Sequence, residues 1–446
     1  MHKQLYRLMR YAVNPYEFRT IKLTRELERN QWLSLEELQQ VSWYKLKRLL
    51  EHAYVNVPFY RQRFKAVGIT PKDIRTKEDF CQVPLLTKDD VRENTNLLLA
   101  KNYNKAKMDF SATSGSTGEP LVIYHDPGQI PANLAAFNRG YGWFKVDAYD
   151  KIAWIWGRRI GVQQQPTLRQ RLKPERWLDG WNLTSEDLQQ FAEELCRWKP
   201  TIIAGYANVI YLFAEYLANR NITDIQAKLV QTTAMAMWPQ ERMLIKQVFQ
   251  CPVSDRYSSH EAGAIISAEC PEGSKHIFSD FCYVEIINDG QLVPPGENGE
   301  IIITPLYSFG MPLIRYRMDD VASWAGTKCS CGRGLPIFDE FVGRTNSLFT
   351  LPSGRFLHGM AFREPADGNM AIRRFRVHQY SKEKIEVFLQ KGEDFDDRTL
   401  DKMRAHYLKL LGNEPVELKI TITDDMPTTA AGKLLVATTD VPVTFN

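Results

Sequence analysis

A short run of hydroxyl side chains and glycines, residues 111–120 (SATSGSTGEP), contains the residue types that hold phosphate groups. Glycine lets the backbone turn its N–H groups toward one point, and serine and threonine add donors without bulk. The spacing differs from the common phosphate loop, because G-x-x-x-x-G-K-[ST] is absent. The alternative is a flexible Ser/Gly linker. The candidate phosphate-binding residues are Ser114, Gly115, Ser116, Thr117 and Gly118.

Three further stretches combine charged, aromatic and hydroxyl residues. They are residues 257–261 (YSSHE), 315–320 (RYRMDD) and 427–433 (PTTAAGK). Their chemistry-bearing members each have an ordinary alternative. Glu261 would be a solvated surface glutamate, and Tyr257 a core aromatic residue. Asp320 would pair with one of the two arginines of its own stretch, and Lys433 would be an exposed lysine in a turn. Only the joint pattern favours a functional site.

Cysteine and histidine give a separate signal. Cys270, His276, Cys329 and Cys331 form a candidate Cys₃His set, and the C-x-C pair is followed by glycine, which is a compact ligand turn. Zinc favours tetrahedral thiolate and imidazole ligands, and a closed site with four protein ligands is structural. The two halves are far apart in sequence, so the alternative is ordinary buried thiols with a surface histidine.

Composition sets limits on the class of protein. The chain has 446 residues, 44% of them hydrophobic and 25% charged, which predicts a large core and a smaller second domain. The net charge of +4 argues against a dedicated nucleic-acid binder. We see no apolar run of the ~20 residues that a membrane helix needs, and no signal-peptide core at the start. Seven cysteines are expected to be thiols or metal ligands, and the protein is expected to be cytoplasmic.

The elements that must position these residues begin with amphipathic helices. Ser34 and Glu37 have the capping-box spacing, so a helix is expected to start there. Four apolar residues follow at the spacing of one buried face: Leu46, Leu49, Leu50 and Ala53. The charged residues between them are expected to face water: Lys45, Lys47, Arg48 and Glu51.

Strands and helices alternate in the middle of the chain. Strands are predicted at 152–156, 201–204, 228–232 and 252–257, and helices at 185–198, 208–219 and 239–249. This alternation indicates βαβ units and a parallel sheet. Ligands of such sheets bind beyond the carboxyl ends of the strands, so residues 257–261 are expected at a binding edge. A strand at 121–124 would place the 111–120 loop against a sheet.

The predicted fold class is α/β, with a large multi-layer N-terminal domain containing βαβ units and a small α+β C-terminal domain. The boundary is predicted between 343 and 344, giving domains 1–343 and 344–446. The smaller domain is expected to contain strands at 374–377, 384–388 and 417–421 and a helix at 397–411.

Taken together, residues 113–118, 257–261, 315–320 and 427–433 resemble, in order and spacing, the adenylate-forming (ANL) ligase superfamily. The branch that the chain resembles is that of the phenylacetate–CoA ligases and CapK-like proteins, and the resemblance covers nearly the whole chain. Any one of these stretches is a weak signal, whereas four in order are specific.

The resemblance implies roles for individual residues. Ser114, Ser116, Thr117 and Gly118 would hold the pyrophosphate of ATP, and Glu261 matches the family's Mg²⁺ ligand. Tyr257 would stack on adenine, and Asp320 matches the aspartate that binds both ribose hydroxyls.

Two further residues match parts of the family that act between half-reactions. Lys433 matches the lysine of a mobile C-terminal domain that contacts the forming acyl-adenylate. Arg344 matches an arginine of the hinge, although Asn346 and Ser347 stand where relatives have acidic residues. This departure puts the hinge in doubt and leaves the adenylation chemistry unaffected.

The expected activity is ATP-dependent activation of a small-molecule carboxylic acid, followed by transfer of the acyl group to a thiol, coenzyme A. One alternative passes the acyl group to an amine, in polysaccharide or cofactor biosynthesis. Another, from a different class, is a weakly catalytic nucleotide-binding partner. The acid, the acceptor and the oligomeric state are not specified by the sequence.

Overall fold

The computed structural model describes residues 6–7, 14–113, 121–156, 174–179, 184–234, 237, 239–263, 265–344, 348–366, 371–392, 395–426 and 436–441. Within these residues the fold is mixed α/β with one large sheet, which confirms the predicted fold class.

Helices cover the first part of the chain. In the described residues they are α1 (Glu17–Asn30), α2 (Leu35–Asn56), α3 (Pro58–Ala66), α4 (Lys77–Cys81), α5 (Lys88–Glu93) and α6 (Gln129–Gly142), with a 3₁₀ turn at Lys105–Lys107. The capping box predicted at Ser34 is present, because its hydroxyl accepts from the Glu37 amide and the Glu37 carboxylate accepts from the Ser34 amide. Such a cap contributes roughly 1 kcal/mol. The apolar face predicted for α2 is buried against the sheet.

The prediction that Lys45 faces water was wrong. Its ammonium donates to Glu26 at 2.9 Å, to the hydroxyl of Tyr307 at 2.7 Å and to the carbonyl of Asp280 at 3.1 Å. The aliphatic stem of a lysine can pack on apolar surface while its charged end finds acceptors. Here those acceptors come from distant parts of the chain, which the helix periodicity does not register.

The large sheet has twelve strands among the described residues, in the order β11-β10-β12-β13-β14-β9-β8-β7-β6-β5-β3-β4. Their bounds are β3 (Ile152–Trp156), β4 (Glu175–Asp179), β5 (Ile202–Tyr206), β6 (Leu229–Thr233), β7 (Val253–Ser258), β8 (Ile265–Glu269), β9 (Lys275–Ile277), β10 (Cys282–Asn288), β11 (Gln291–Leu292), β12 (Asn298–Pro305), β13 (Tyr316–Trp324) and β14 (Ile337–Arg344).

The half of the sheet from β4 to β7 is parallel, as predicted, and the half from β7 to β11 is antiparallel. The parallel strands are connected by α7 (Ser185–Trp198), α8 (Ala207–Asn219) and α9 (Pro239–Phe249). These three helices surround the core of the parallel half, and α1 to α6 cover the antiparallel half. Strand β7 therefore lies at the junction between the two patterns.

A separate two-stranded hairpin brackets the 114–118 loop. It consists of β1 (Asp109–Thr113) and β2 (Leu121–His125), and Thr113 is paired with Leu121. The two ends of the loop are thus held side by side. The strand predicted at 121–124 is confirmed by β2, while residues 114–120 lie outside the described residues.

The C-terminal unit contains a four-stranded sheet in the order β19-β18-β17-β20. Its elements are β15 (Leu348–Thr350), β16 (Phe356–His358), a 3₁₀ segment (Gly359–Ala366), β17 (Ile372–Ser381), β18 (Lys384–Lys391), α10 (Asp397–Leu411), β19 (Glu417–Ile422) and β20 (Ala437–Thr439). The unit has a hydrophobic core of its own. Strand β14 ends at Arg344, the position of the predicted boundary, which stays a prediction.

In the part of the chain that the structure describes, no helix combines the length and the apolar character needed to cross a bilayer.

Candidate functional site

The candidate site is built at the end of β7. Tyr257 is the second-last residue of that strand, and a tight turn follows it. In the turn, the Ala262 amide donates to Ser259 Oγ at 2.9 Å and the Gly263 amide donates to the His260 carbonyl at 3.1 Å. Gly263 has φ +75°, and a Cβ there would lie 2.6 Å from the side-chain nitrogen of Gln129. A positive φ favours glycine, because other residues are strained there, and the turn positions Glu261 beyond the end of β7.

Glu261 is 8% exposed and has one partner from a distant strand. The hydroxyl of Tyr316, the first residue of β13, donates to Glu261 Oε1 at 3.2 Å. Burial and the charge of Glu261 raise the pKa of Tyr316 above its usual range, so its hydroxyl stays a donor. In the described residues, Glu261 Oε2 has no hydrogen-bond donor, which leaves a hard oxygen available to a cation.

Tyr257 and Asp320 form the second pair of the site. The Tyr257 hydroxyl donates to Asp320 Oδ2 at 2.5 Å, and Asp320 is 5% exposed. The ring of Tyr257 packs against Phe341, with ring centres 4.7 Å apart. An aromatic face and a carboxylate are therefore presented together.

The two pairs show that the sheet curls. Strand β13 lies four positions from β7 in the sheet order. At a strand spacing of about 4.8 Å, a flat sheet would separate them by about 19 Å. Because Tyr316 and Asp320 of β13 instead touch residues 261 and 257, the antiparallel half must bend back over the end of β7. The curl closes the site.

A polar chain connects the hairpin to the Glu261 turn. Ser111 Oγ and His125 Nε2 are 2.8 Å apart, His125 Nδ1 and Gln129 Oε1 are 3.3 Å apart, and Gln129 Nε2 donates to the Ala262 carbonyl at 3.5 Å. A neutral His125 with its proton on Nδ1 satisfies both neighbours.

Burial keeps that histidine neutral. It lowers the pKa of His125, and the charge of His260 adds to the lowering. The hydrogen bond that His125 donates to Gln129 and the charges of Asp109 and Asp126 oppose it. The connection between the loop strand and the turn is therefore intact at neutral pH.

The alternative that Asp320 pairs with an arginine of its own stretch does not hold. Arg315 binds Glu285 at 3.0 Å, and Arg317 binds Glu300 at 2.6 Å. Arg315 is 2% exposed and also donates to two main-chain carbonyls, so it anchors β13 from within the core. Tyr257 is not simply a core aromatic residue either, because its side chain is only partly buried.

Several candidate residues lie outside the described part of the chain. They are Ser114, Gly115, Ser116, Thr117, Gly118 and Lys433. Arg344 has a described backbone, paired with Asp320 in the β13–β14 register, but its side chain is outside the description.

The structure brings the Cys₃His set together. The ligand atoms of Cys270, His276, Cys329 and Cys331 all lie within 4.8 Å of one another. His276 is fully buried, so the alternative of a surface histidine was wrong.

Sequence reasoning missed two contributors to the site. Tyr316 stands inside a stretch that was singled out, but it was given no role. His125 directly follows the predicted strand 121–124. Its proximity to Ser111 could have been predicted by assuming that this strand pairs in an antiparallel hairpin with the residues before the loop.

Comparisons with known proteins bear on the relatives and the fold of the chain. No family model matches the chain. It is 28% identical to the protein CapK of Staphylococcus aureus over 332 residues, which cover 71% of this chain and 68% of CapK. It is 27% identical to the phenylacetate-coenzyme A ligase of Escherichia coli strain K12 over 330 residues, which cover 71% of this chain and 74% of that ligase.

Among solved structures, 2-hydroxyisobutyryl-CoA ligase in its postadenylation state matches with a TM-score of 0.75 and 16% identity, over 92% of this chain and 91% of that one. The same ligase in its thioesterification state matches with a TM-score of 0.63.

The sequence matches and the fold therefore agree with the resemblance seen in the sequence. This chain is a relative of CapK and the phenylacetate–coenzyme A ligases and has the fold of the adenylate-forming superfamily.

Proposed function

We propose that this protein is an AMP-forming acid–thiol ligase. It activates a small carboxylic acid with ATP and transfers the acyl group to coenzyme A. The observation that carries the proposal is the paired arrangement at the end of β7, where Tyr257 meets Asp320 and Glu261 meets Tyr316. An aromatic face, one buried carboxylate beside it and a second carboxylate nearby are what a nucleoside triphosphate with its cation requires.

The nucleoside would be held by the first pair. The Tyr257 ring would offer a face to adenine, and the Asp320 carboxylate would accept from the ribose hydroxyls. Since the Tyr257 hydroxyl already fixes Asp320 Oδ2, the carboxylate is oriented before ATP arrives. Such preorganisation lowers the ordering cost of binding.

The phosphates would be held by the hairpin loop and by a magnesium ion on Glu261. The donor set fits magnesium, because Glu261 is a carboxylate with one oxygen held by Tyr316 and the other open. When bound, Mg²⁺ neutralises phosphate charge. Ser114, Ser116, Thr117 and Gly118 would donate to the leaving pyrophosphate. Thr113 and Leu121, which are paired at the base of the loop, keep its ends together.

The reaction would have two steps. A carboxylate oxygen of the acid attacks the α-phosphorus of ATP and pyrophosphate leaves. The thiolate of coenzyme A then attacks the acyl carbon and AMP leaves. Lys433 would neutralise charge between the carboxylate and the α-phosphate in the first step. Arg344 would lie at the hinge about which the C-terminal domain moves between the steps. Support for such movement comes from 2-hydroxyisobutyryl-CoA ligase, a structural neighbour that is known in a postadenylation state and in a thioesterification state, which match this chain with TM-scores of 0.75 and 0.63.

A second candidate acceptor is an amine, the alternative that the sequence leaves open, and the chain is as similar to CapK as to the phenylacetate–coenzyme A ligases. The adenylation step would be the same, and the acyl carbon would be attacked by nitrogen to form an amide.

We also propose a cytoplasmic location. ATP and coenzyme A are available there, and all seven cysteines are free thiols in the structure, as expected in a reducing compartment.

The test is pyrophosphate release from ATP across a panel of aromatic and aliphatic acids, with and without coenzyme A, and mass analysis of the product. Acid-dependent release with a CoA thioester as product supports the proposal. Release with CoA left unreacted, but with an amide formed from an added amine, moves the assignment to the second acceptor. Release that no acid stimulates contradicts adenylation and leaves a nucleotide-binding partner.

The variant Glu261→Gln tests the proposed magnesium-binding role of Glu261. We expect it to fold normally and lose Mg²⁺-dependent pyrophosphate exchange, because an amide replaces a charged metal ligand poorly. Glu297→Gln, at an exposed position, is the control and should behave as wild type. Wild-type exchange in Glu261→Gln would rule out the metal-binding role.

A further inference from the structure

The Cys₃His cluster lies outside the chemistry proposed above and stands on its own geometry. Cys270 follows β8, His276 is the middle residue of β9, and Cys329 and Cys331 lie in the connection between β13 and β14. We propose that these four residues hold one Zn²⁺ ion as a closed structural centre that fastens the β13–β14 connection to the sheet and to the N-terminal helices.

Two of the distances between ligand atoms are close to those of a tetrahedral zinc site, and all four ligand atoms lie within 4.8 Å of one another. Zn–S bonds of about 2.3 Å and Zn–N bonds of about 2.0–2.1 Å place two sulfurs about 3.8 Å apart, and a sulfur and a nitrogen about 3.5 Å apart. In the structure, Cys270 Sγ and Cys329 Sγ are 3.7 Å apart, and Cys331 Sγ and His276 Nε2 are 3.2 Å apart. A disulfide would need about 2.05 Å between sulfurs, so Cys270 and Cys329 are not joined by one.

The surrounding main chain supports this ligand set. The Cys331 amide lies 3.4 Å from Cys329 Sγ and donates to it, as expected for a turn that wraps a thiolate. His276 Nδ1 lies 3.2 Å from the Leu335 carbonyl. A proton on Nδ1 donates to that carbonyl and leaves the Nε2 lone pair directed at the cluster, which is the outer contact that metal-binding histidines use.

The centre is closed, which makes it structural. Exposure is 3% at Cys270, 0% at His276 and 9% at Cys329. With four protein ligands there is no open coordination position for a water or a substrate. The ion would stabilise the fold and take no part in the acyl transfer.

The residues that follow Cys331 contact the turn between α1 and α2. After Cys331, the Gly334 amide donates to the Gln31 carbonyl at 2.9 Å, and a Cβ at Gly334 would lie 1.8 Å from the Leu33 carbonyl oxygen. The Arg333 guanidinium lies 5.1 Å from the ring centre of Trp32 and 4.7 Å from that of Trp143. Zinc would thus lock the segment that joins the α1–α2 turn to the sheet.

The same segment leads directly into β14, which carries Phe341 against Tyr257. On the other side, β9 carries Lys275, which binds Asp255 of β7 at 2.6 Å. Loss of the metal is therefore expected to loosen the strands that flank the candidate site without removing any residue from it.

The first experiment measures metals in the purified full chain by mass spectrometry under non-chelating conditions. We expect about one zinc per chain in the wild type, and the same in Cys196→Ser, whose thiol lies on α7 away from the cluster. Cys331→Ser, at the most exposed ligand, and Cys329→Ser should lose most of the zinc. Wild-type protein without zinc, or cysteine variants that retain it, would overturn the proposal, as would iron in its place.

The second experiment does not depend on how the variants fold. Wild-type protein is expressed with Co²⁺ in place of Zn²⁺ and its absorption spectrum is recorded. Three thiolates and one imidazole predict a thiolate-to-cobalt charge-transfer band and intense tetrahedral d–d bands. A weak octahedral spectrum would mean that cobalt sits elsewhere and would contradict the assignment.

A third measurement separates the structural role from catalysis. Chelator-treated protein should unfold at lower temperature and exchange amide hydrogens faster at residues 27–34 and 325–336. Unchanged exchange in both segments after complete zinc removal would refute the fastening role. Pyrophosphate exchange can be followed in the same samples, so a failure here is distinguishable from a failure of the proposed function.

Discussion

Removal of one hydroxyl group, in Tyr316→Phe, tests how the curled sheet supports catalysis. Tyr316 is fully buried and its hydroxyl is the hydrogen-bond donor to Glu261 in the described residues. A hydrogen bond to a charged group contributes about 1.5–3 kcal/mol, and loss of a contact that orients a metal ligand lowers affinity about 10–100-fold. The free energy and the change in affinity agree, since about 1.4 kcal/mol corresponds to a tenfold change in a binding constant. We expect the Mg²⁺ concentration for half-maximal pyrophosphate exchange to rise about 10–100-fold.

The assay is pyrophosphate exchange titrated with Mg²⁺ at saturating ATP and acid. Tyr60→Phe is the matched control, because the Tyr60 hydroxyl is equally buried but binds main chain, the Pro312 carbonyl at 3.0 Å and the Ile314 amide at 2.8 Å. That variant should lose stability and keep the wild-type Mg²⁺ dependence. If Tyr316→Phe folds and its Mg²⁺ dependence is unchanged, or if both variants shift it alike, the role assigned to Tyr316 is wrong.

Three further outcomes are expected. Lys433→Ala should lose about 10²–10³ in acyl-adenylate formation and spare transfer from synthetic acyl-AMP; equal loss in paired assays of both steps would refute the domain rotation. Because the pKa of His125 is lowered in the folded state, the unfolded chain binds more protons, and stability should fall as pH drops below about 6.5; thermal unfolding of His125→Gln should show a smaller change over that range. Asp280→Ala leaves the buried Arg139 uncompensated and should cost about 3–5 kcal/mol in urea unfolding, whereas Asp89→Ala at an exposed pair should cost about 1 kcal/mol or less.

Local signals in the sequence were sufficient for the helices and for the parallel strands. The predicted helices 185–198, 239–249 and 397–411 agree with α7, α9 and α10 to the residue. Each has a strong start signal: a Thr184 cap, a proline at the first turn of α9, and an Asp396 cap. Caps and helix periodicity depend only on neighbours within a few residues, so they can be recognised in a single sequence.

The antiparallel half was only partly predictable. The curl that brings β13 over β7 depends on pairing between strands far apart in the chain. No local periodicity encodes that pairing. This is why Tyr257 and Asp320 could be nominated separately from their motifs, while their direct hydrogen bond could not be predicted.

The Cys₃His set was also only partly predictable from the sequence. The C-x-C turn was visible in the sequence, but its proximity to Cys270 and His276 depends on β9 pairing with both β8 and β14. Once that pairing is known, all four side chains fall within one ligand sphere.

The central claim is that the acid is activated as an acyl-adenylate, and transfer of an isotope label tests it most directly. An acid substrate with ¹⁸O in its carboxylate is turned over with ATP and coenzyme A, and the nucleotide and phosphate products are analysed by mass. Attack of the carboxylate on the α-phosphorus predicts that one labelled oxygen appears in AMP and none in pyrophosphate. Label in inorganic phosphate or pyrophosphate, or product formed with unlabelled AMP, would contradict the account.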